Sequence, residues 1–385
     1  MGEVLLRNVR ICLPEKMMTG HIGIANGKIA EIGEGEPSRQ YMKEVDGKNH
    51  YALPGFIDGH IHGAAGADTM DATQESLHTI AAWLPNEGTT AFLATTITQD
   101  QGAIEAALEQ VDLFSAQTGE AELIGVHLEG PFVNPKKAGA QPLSHIQKPD
   151  VELFRKWRQL SGGNIRVVTL APECDEDYRL TELLASERIV ASAGHTDASF
   201  EQMKEAARHG IGQLTHLCNQ MNGIHHRDVG AVGAGFLLST LSSELIADGI
   251  HVAPEMLRLI YQNVGPERLI LITDSLRGKG LEDGTYDLGG QAVTVKEGKA
   301  LLPDGTLAGS MLQMKDAVCN MAAFADASVL DIAKMTAENP AKQYKIYDRK
   351  GSLTKGKDAD IVLLDDQLTL QATYCRGNLA YQKEE

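Results

Sequence analysis

His60 and His62 are separated by one residue and follow the apolar run Ala52-Leu53-Pro54-Gly55-Phe56-Ile57. In a strand, residues i and i+2 point to the same face. The two imidazoles would then aim at one point, which is half of a divalent-metal site. Four further residues with ligand chemistry end apolar runs later in the chain. Glu129 follows Gly125-Val126-His127-Leu128, His195 closes Ala191-Ser192-Ala193-Gly194, His216 closes Leu214-Thr215 and Asp274 closes Leu271-Ile272-Thr273. Four histidines and two carboxylates suit one or two borderline divalent ions such as zinc or iron. Such an ion acidifies water and polarises a carbonyl oxygen. A neighbouring carboxylate, for which Asp274 is the candidate, can pass the water's proton to a leaving amine. Hydrolysis of an amide or related C–N bond is the natural reaction, with deamination and phosphotriester cleavage also compatible. Taken singly, each residue has a plainer reading: loop or core histidines, a turn glutamate before Pro131, an aspartate capping a helix. Their shared placement at strand ends favours the metal. His127 is in register with Glu129 and is assigned no metal.

These residues need a scaffold that brings distant strand ends together. Candidate strands are Leu53–His60, Thr89–Ile97, Glu122–Leu128, Ile165–Ala171, Arg188–His195, Gln213–Leu217, Glu244–Asp248 and Arg268–Thr273. Apolar residues at three- and four-residue spacing mark helices over Glu75–Asn86, Gln101–Gln117, Val151–Leu160, Tyr178–Ser186, Ser199–His209 and Glu255–Asn263. Eight strand-then-helix units predict an α/β fold, a (β/α)8 TIM-type barrel, whose chemistry sits at the C-terminal ends of the strands. An open doubly wound sheet is the alternative, but no glycine-rich dinucleotide fingerprint supports it. Both ends of the chain look all-β instead. Val4 to Ile11, Gly20 to Ala25 and Lys28 to Ile32 are strand-like, with a hairpin signal at Asn26-Gly27, and Asp360 to Leu364 has the same texture. The expected organisation is a small β-sandwich domain from residues 1–53 and 346–385 around a barrel over 54–345. A β-hairpin insertion is expected near 278–302, with closing helices over Met311 to Phe324 and Val329 to Tyr344.

Composition narrows the partners. The chain has 385 residues, 43% of them hydrophobic, and a formal net charge of −17, which argues against nucleic acid. An anionic substrate would need a locally basic pocket. The 5 cysteines are scattered with no Cys-x-x-Cys pair, as expected of a reducing cytoplasm. Met1-Gly2-Glu3-Val4-Leu5-Leu6-Arg7 is too short an apolar run for a signal peptide. No apolar run of about 18 residues predicts a membrane span.

The segment Pro-Gly-Phe-Ile-Asp-Gly-His-Ile-His, with the later strand-end acid, histidines and aspartate, resembles the amidohydrolase superfamily. His-Leu-Glu-Gly-Pro-Phe (127–132), Ala-Gly-His-Thr (193–196), Thr-His-Leu-Cys-Asn-Gln-Met (215–221), Asp-Gly-Ile-His (248–251) and Leu-Ala-Gly-Ser (307–310) resemble the N-acetylglucosamine-6-phosphate deacetylases within it. The resemblance runs almost the full length. No lysine stands at the end of strand three, where dihydroorotases and hydantoinases carry a carboxylated one. The resemblance implies that Glu129, His195 and His216 are the main metal ligands. His60 and His62 would be the additional pair of two-metal members, with Glu129 bridging. It further implies Asp274 as catalytic acid/base, with Asn219 and Gln220 as sugar contacts. His251 would lie near the phosphate, and Leu307, Ala308 and Gly309 along the sugar. Arg227 would bind phosphate across a homodimer interface. In the loop that holds Ala140, Gln141 stands where the family often has a carbonyl-polarising histidine. The expected activity is hydrolysis of N-acetyl-D-glucosamine 6-phosphate to D-glucosamine 6-phosphate and acetate, in amino-sugar catabolism and recycling. Another amidohydrolase, such as a D-amino-acid deacylase or a deaminase, is the alternative. A non-catalytic scaffold would predict missing ligands.

Overall fold

Parallel strands that are apolar on both faces need cover on both sides, which a barrel ringed by helices provides. The computed structural model describes residues 3–384 and contains that barrel. Its strands are Phe56–Ile61, Thr89–Thr95, Glu122–Glu129, Ile165–Leu170, Val190–Ala193, Ile211–Leu214, Ser242–Ile246 and Leu269–Ile272. Each pairs in parallel with the next. Strands one and eight meet just beyond their C-terminal ends. The Asp274 N–H donates to the His60 carbonyl at 2.8 Å, and the His62 N–H to the Ser275 carbonyl at 3.0 Å. The seam that closes the barrel therefore runs through three of the predicted site residues.

Helices cover the barrel from outside. Val151–Leu160 forms as expected, with the Asp150 side chain capping the Glu152 and Leu153 N–H groups and with Phe154 and Trp157 buried. One helix, Gly230–Leu237, was not among those expected. Its Gly-Ala-Val-Gly-Ala-Gly-Phe-Leu sequence has no polar face, and packing holds it as a helix despite three glycines. The single helix expected over Val329 to Tyr344 consists of Val329–Ala333, a π-helical turn Lys334–Glu338 and Asn339–Gln343. Pro340 sits in the first turn of the last piece, where its missing N–H is tolerated. No described helix is long and apolar enough to cross a membrane.

Strands from both chain ends share one eight-stranded mixed sheet. Val4–Cys12, Met17–Ala25, Lys28–Gly33, Lys43–Asp46 and Tyr51–Pro54 join Ile361–Leu364, Leu370–Cys375 and Asn378–Gln382. Leu6, Ile11, Ile22 and Ile24 pack with Ile361 and Leu363 into its core. Asn26 and Gly27 both take positive φ (51° and 75°), the tight hairpin turn their sequence signals. The terminal β unit was expected to include Met1, Gly2 and Glu385, which lie outside the described residues. The segment expected as a hairpin near 278–302 is a three-stranded antiparallel sheet, Gly284–Leu288, Gln291–Lys296 and Lys299–Leu301.

Candidate metal centre

Three strand-end residues leave the barrel in the left-handed backbone region: His195 (φ 47°), His216 (φ 32°) and Asp274 (φ 50°). For a residue with a Cβ this conformation is disfavoured and persists only where the surroundings hold it. Here it accompanies side chains that converge at the barrel mouth. The Nε2 atoms of His195 and His216 lie 3.2 and 3.1 Å from Glu129 Oε1, and 3.1 Å from each other. On the other side, His62 Nε2 lies 3.3 Å from Glu129 Oε2 and 3.2 Å from Asp274 Oδ1. His60 Nε2 lies 3.4 Å from Glu129 Oε1 and 3.5 Å from Asp274 Oδ1. Glu129 thus stands between two donor groups, Glu129–His195–His216 and His60–His62–Asp274. Ligands bound tetrahedrally at about 2.0–2.1 Å lie about 3.3–3.4 Å apart. The contacts within Glu129–His195–His216, at 3.1–3.2 Å, and those of His60 and His62 with Asp274, at 3.5 and 3.2 Å, are close to that spacing.

For His60 and His195 a second layer sets which imidazole nitrogen faces the centre. His60 Nδ1 lies 3.1 Å from Glu244 Oε2, and His195 Nδ1 lies 2.9 Å from the Lys137 carbonyl. Each partner is an acceptor, so Nδ1 carries the proton and Nε2 turns its lone pair inward. His60 Nε2 is buried and has no hydrogen-bond partner among the described residues. Asp58 Oδ1 accepts from the His60 and Thr273 N–H groups, at 3.2 and 3.3 Å, and so ties strand one to strand eight. His127 lies beneath, 2.9 Å from the Gly59 carbonyl and 2.7 Å from Thr169 Oγ1.

The electrostatics ask for positive charge. Burial disfavours a charged His62, but its bonds to Asp274 and Glu129 outweigh this and raise its pKa. Burial likewise works against an ionised Asp274, which His60 and His62 hold below the usual carboxylate range. Two buried carboxylates among four imidazoles, with an unpartnered Nε2 between them, fit a divalent cation.

A cavity of about 350 Å3 opens above these residues. Ala140, Gln141, Asn219, Gln220, His251, Leu307 and Gly309 line it, as do the ligand candidates other than His60. Two expected substrate residues do not. Ala308 is fully buried in a small core with Leu276 and Val293, and its N–H donates to the Ala300 carbonyl. Arg227 lies on the exposed turn 225–228, where its guanidinium is 2.8 Å from His226 Nε2. Gln141 is held at both ends. Its Nε2 donates to Glu129 Oε2 and its Oε1 accepts from the Thr98 N–H, both at 2.9 Å. His251 Nδ1 meets Asp248 Oδ2 at 2.6 Å. Ile97, Leu288, Gly305 and Thr306 also line the cavity and were not anticipated. Asp58 and Glu244 were not assigned a role either. The signal available for both was a carboxylate within a barrel strand, where acidic residues are rarely buried without a partner.

The amidohydrolase family model matches residues 51–381. The chain is 47% identical to the N-acetylglucosamine-6-phosphate deacetylase of Bacillus subtilis, over 100% of this chain and 98% of that protein. It superposes on the crystal structure of N-acetylglucosamine-6-phosphate deacetylase from Thermotoga maritima with a TM-score of 0.88 and 34% identity, covering 98% of this chain and 100% of that one. A mutant of the Mycobacterium smegmatis enzyme, in complex with N-acetyl-D-glucosamine-6-phosphate, matches with a TM-score of 0.92 and 28% identity, over 99% and 100% of the two chains. The chain belongs to the amidohydrolase family.

Proposed function

We propose that this protein hydrolyses N-acetyl-D-glucosamine 6-phosphate to D-glucosamine 6-phosphate and acetate. The carrying observation is Glu129, placed between two histidine pairs beneath a cavity lined by Gln141, Asn219, Gln220 and His251. Glu129, His195 and His216 would hold one divalent ion, zinc or iron by donor type, and His60 and His62 a second, with Glu129 bridging. When bound, such ions supply Lewis acidity at the acetamide carbonyl and lower the pKa of nearby water.

The chain's own groups do the rest. Asp274 accepts a proton from the attacking water as its oxygen bonds to the carbonyl carbon. It returns that proton to the sugar nitrogen as the C–N bond breaks, leaving acetate and a free amine. Gln141 fixes the rotamer of Glu129 through its amide. Asn219, Gln220, Leu307 and Gly309 bind the sugar, and His251 stands near the phosphate. Among the described residues Arg227 has no carboxylate partner and its guanidinium meets only His226, which supports a homodimer in which it serves the partner subunit's phosphate. Five cysteines, none bonded to another, support a cytoplasmic setting in amino-sugar catabolism and recycling. Acetate release from phosphorylated and unphosphorylated amino sugars tests the reading. A D-amino-acid deacylase or a deaminase needs no 6-phosphate.

A further inference from the structure

The opposite, N-terminal face of the barrel holds a larger cavity, about 740 Å3 against about 350 Å3 at the mouth. It opens between the starts of strands four, five and six, at Ile165, Val190 and Gly212. Four cationic side chains line it, Arg158, Arg166, Arg188 and Lys345, with one carboxylate, Glu187. Glu187 is taken by Arg158 at 2.9 Å. Among the described residues, Arg166, Arg188 and Lys345 have no carboxylate within ion-pair distance. In a chain of net charge −17, three unpaired cations around one hollow run against the overall field.

Arg166 is built into the wall. Its Nε donates to the Ile124 carbonyl at 3.3 Å. Its stem crosses Gly125, where a Cβ would stand 2.6 Å from the Arg166 Cγ. That anchor uses one of its donors and leaves both terminal nitrogens without a hydrogen-bond partner among the described residues. Burial pushes its pKa down, and the charge of Arg349 adds to this. The cavity also has room: a Cβ on Gly212 would meet nothing within 4 Å.

We propose that this cavity is a second binding site, for a phosphate group carried free or on a small metabolite. A guanidinium offers paired donors that match phosphate oxygens, and the volume exceeds that of the bare anion. The test is calorimetric titration of the full metal-loaded protein with inorganic phosphate and, separately, with glucosamine 6-phosphate. Wild type is compared with the Arg166→Gln/Arg188→Gln double variant and with Lys345→Gln, which changes only an exposed side chain. The expected result is one phosphate site per chain weakened at least tenfold in the variants, with basal kcat and KM within twofold. The weakened arm names the occupant as free anion or sugar phosphate. Unchanged affinity and stoichiometry in folded variants, or no variant-sensitive site in either titration, would overturn the proposal.

Discussion

Glu244 Oε2 lies 3.1 Å from His60 Nδ1, and both side chains are fully buried. The same carboxylate accepts from Gln213 Nε2 at 2.7 Å through Oε1 and from the His216 N–H at 3.3 Å through Oε2. One side chain thus orients a residue from each donor group. An amide at position 244 would accept through one oxygen only and set an NH2 against a donor.

Glu244→Gln is therefore expected to weaken metal binding about 10–100-fold, with the His60–His62 side affected first. Metal content after dialysis against graded chelator measures this. Retention identical to wild type would show that the contact does not orient His60.

His251 supplies a pH dependence. Burial disfavours its charged form, but the hydrogen bond and charge of Asp248 prevail and raise its pKa above the ordinary histidine value. Its charge, and the stabilisation from Asp248, are fully present below the unfolded value of about 6.5 and fade as pH climbs through the raised folded value. KM for the phosphorylated substrate should rise over that window. Asp248→Asn should move the rise to lower pH. An unshifted KM profile in that variant would remove His251 from substrate binding.

Much of this was legible in sequence. The barrel strands are apolar runs bounded by turns, and His60 and His62 declare themselves by their i, i+2 spacing. Glu244 and Asp58 were harder, because their partners lie far along the chain: His60 is 184 residues before Glu244, and Thr273 is 215 after Asp58. The left-handed turns at His195, His216 and Asp274 carry no glycine to signal them. The helix Gly230–Leu237 lacks amphipathic periodicity, so the usual signal is missing. Ala308 sits beside the cavity-lining Leu307 and Gly309, but local geometry turns it into the core.

Arg227 gives a test of shared sites. If the proposed homodimer shares its sites, mixing Arg227→Ala and Asp274→Asn subunits creates dimers with one intact composite site. Activity well above either parent is expected in verified heterodimers. Absence of recovery would place the phosphate cation elsewhere.

Lys279 and Glu87 form a buried ion pair at 2.9 Å, with both side chains wholly inaccessible. Lys279→Ala leaves the carboxylate uncompensated and should cost about 3–5 kcal/mol in urea unfolding. A loss below about 1 kcal/mol, the range of exposed pairs, would contradict this.

The most direct test is acetate release from N-acetyl-D-glucosamine 6-phosphate by purified protein loaded with zinc or iron, alongside Asp274→Asn and the unphosphorylated sugar. Rapid, stoichiometric acetate from the phosphorylated sugar is predicted. Asp274→Asn should lose at least the 10²- to 10⁴-fold (about 3–5 kcal/mol) typical of a general acid–base group. No acetate from wild type, or equal turnover by Asp274→Asn, would contradict the account.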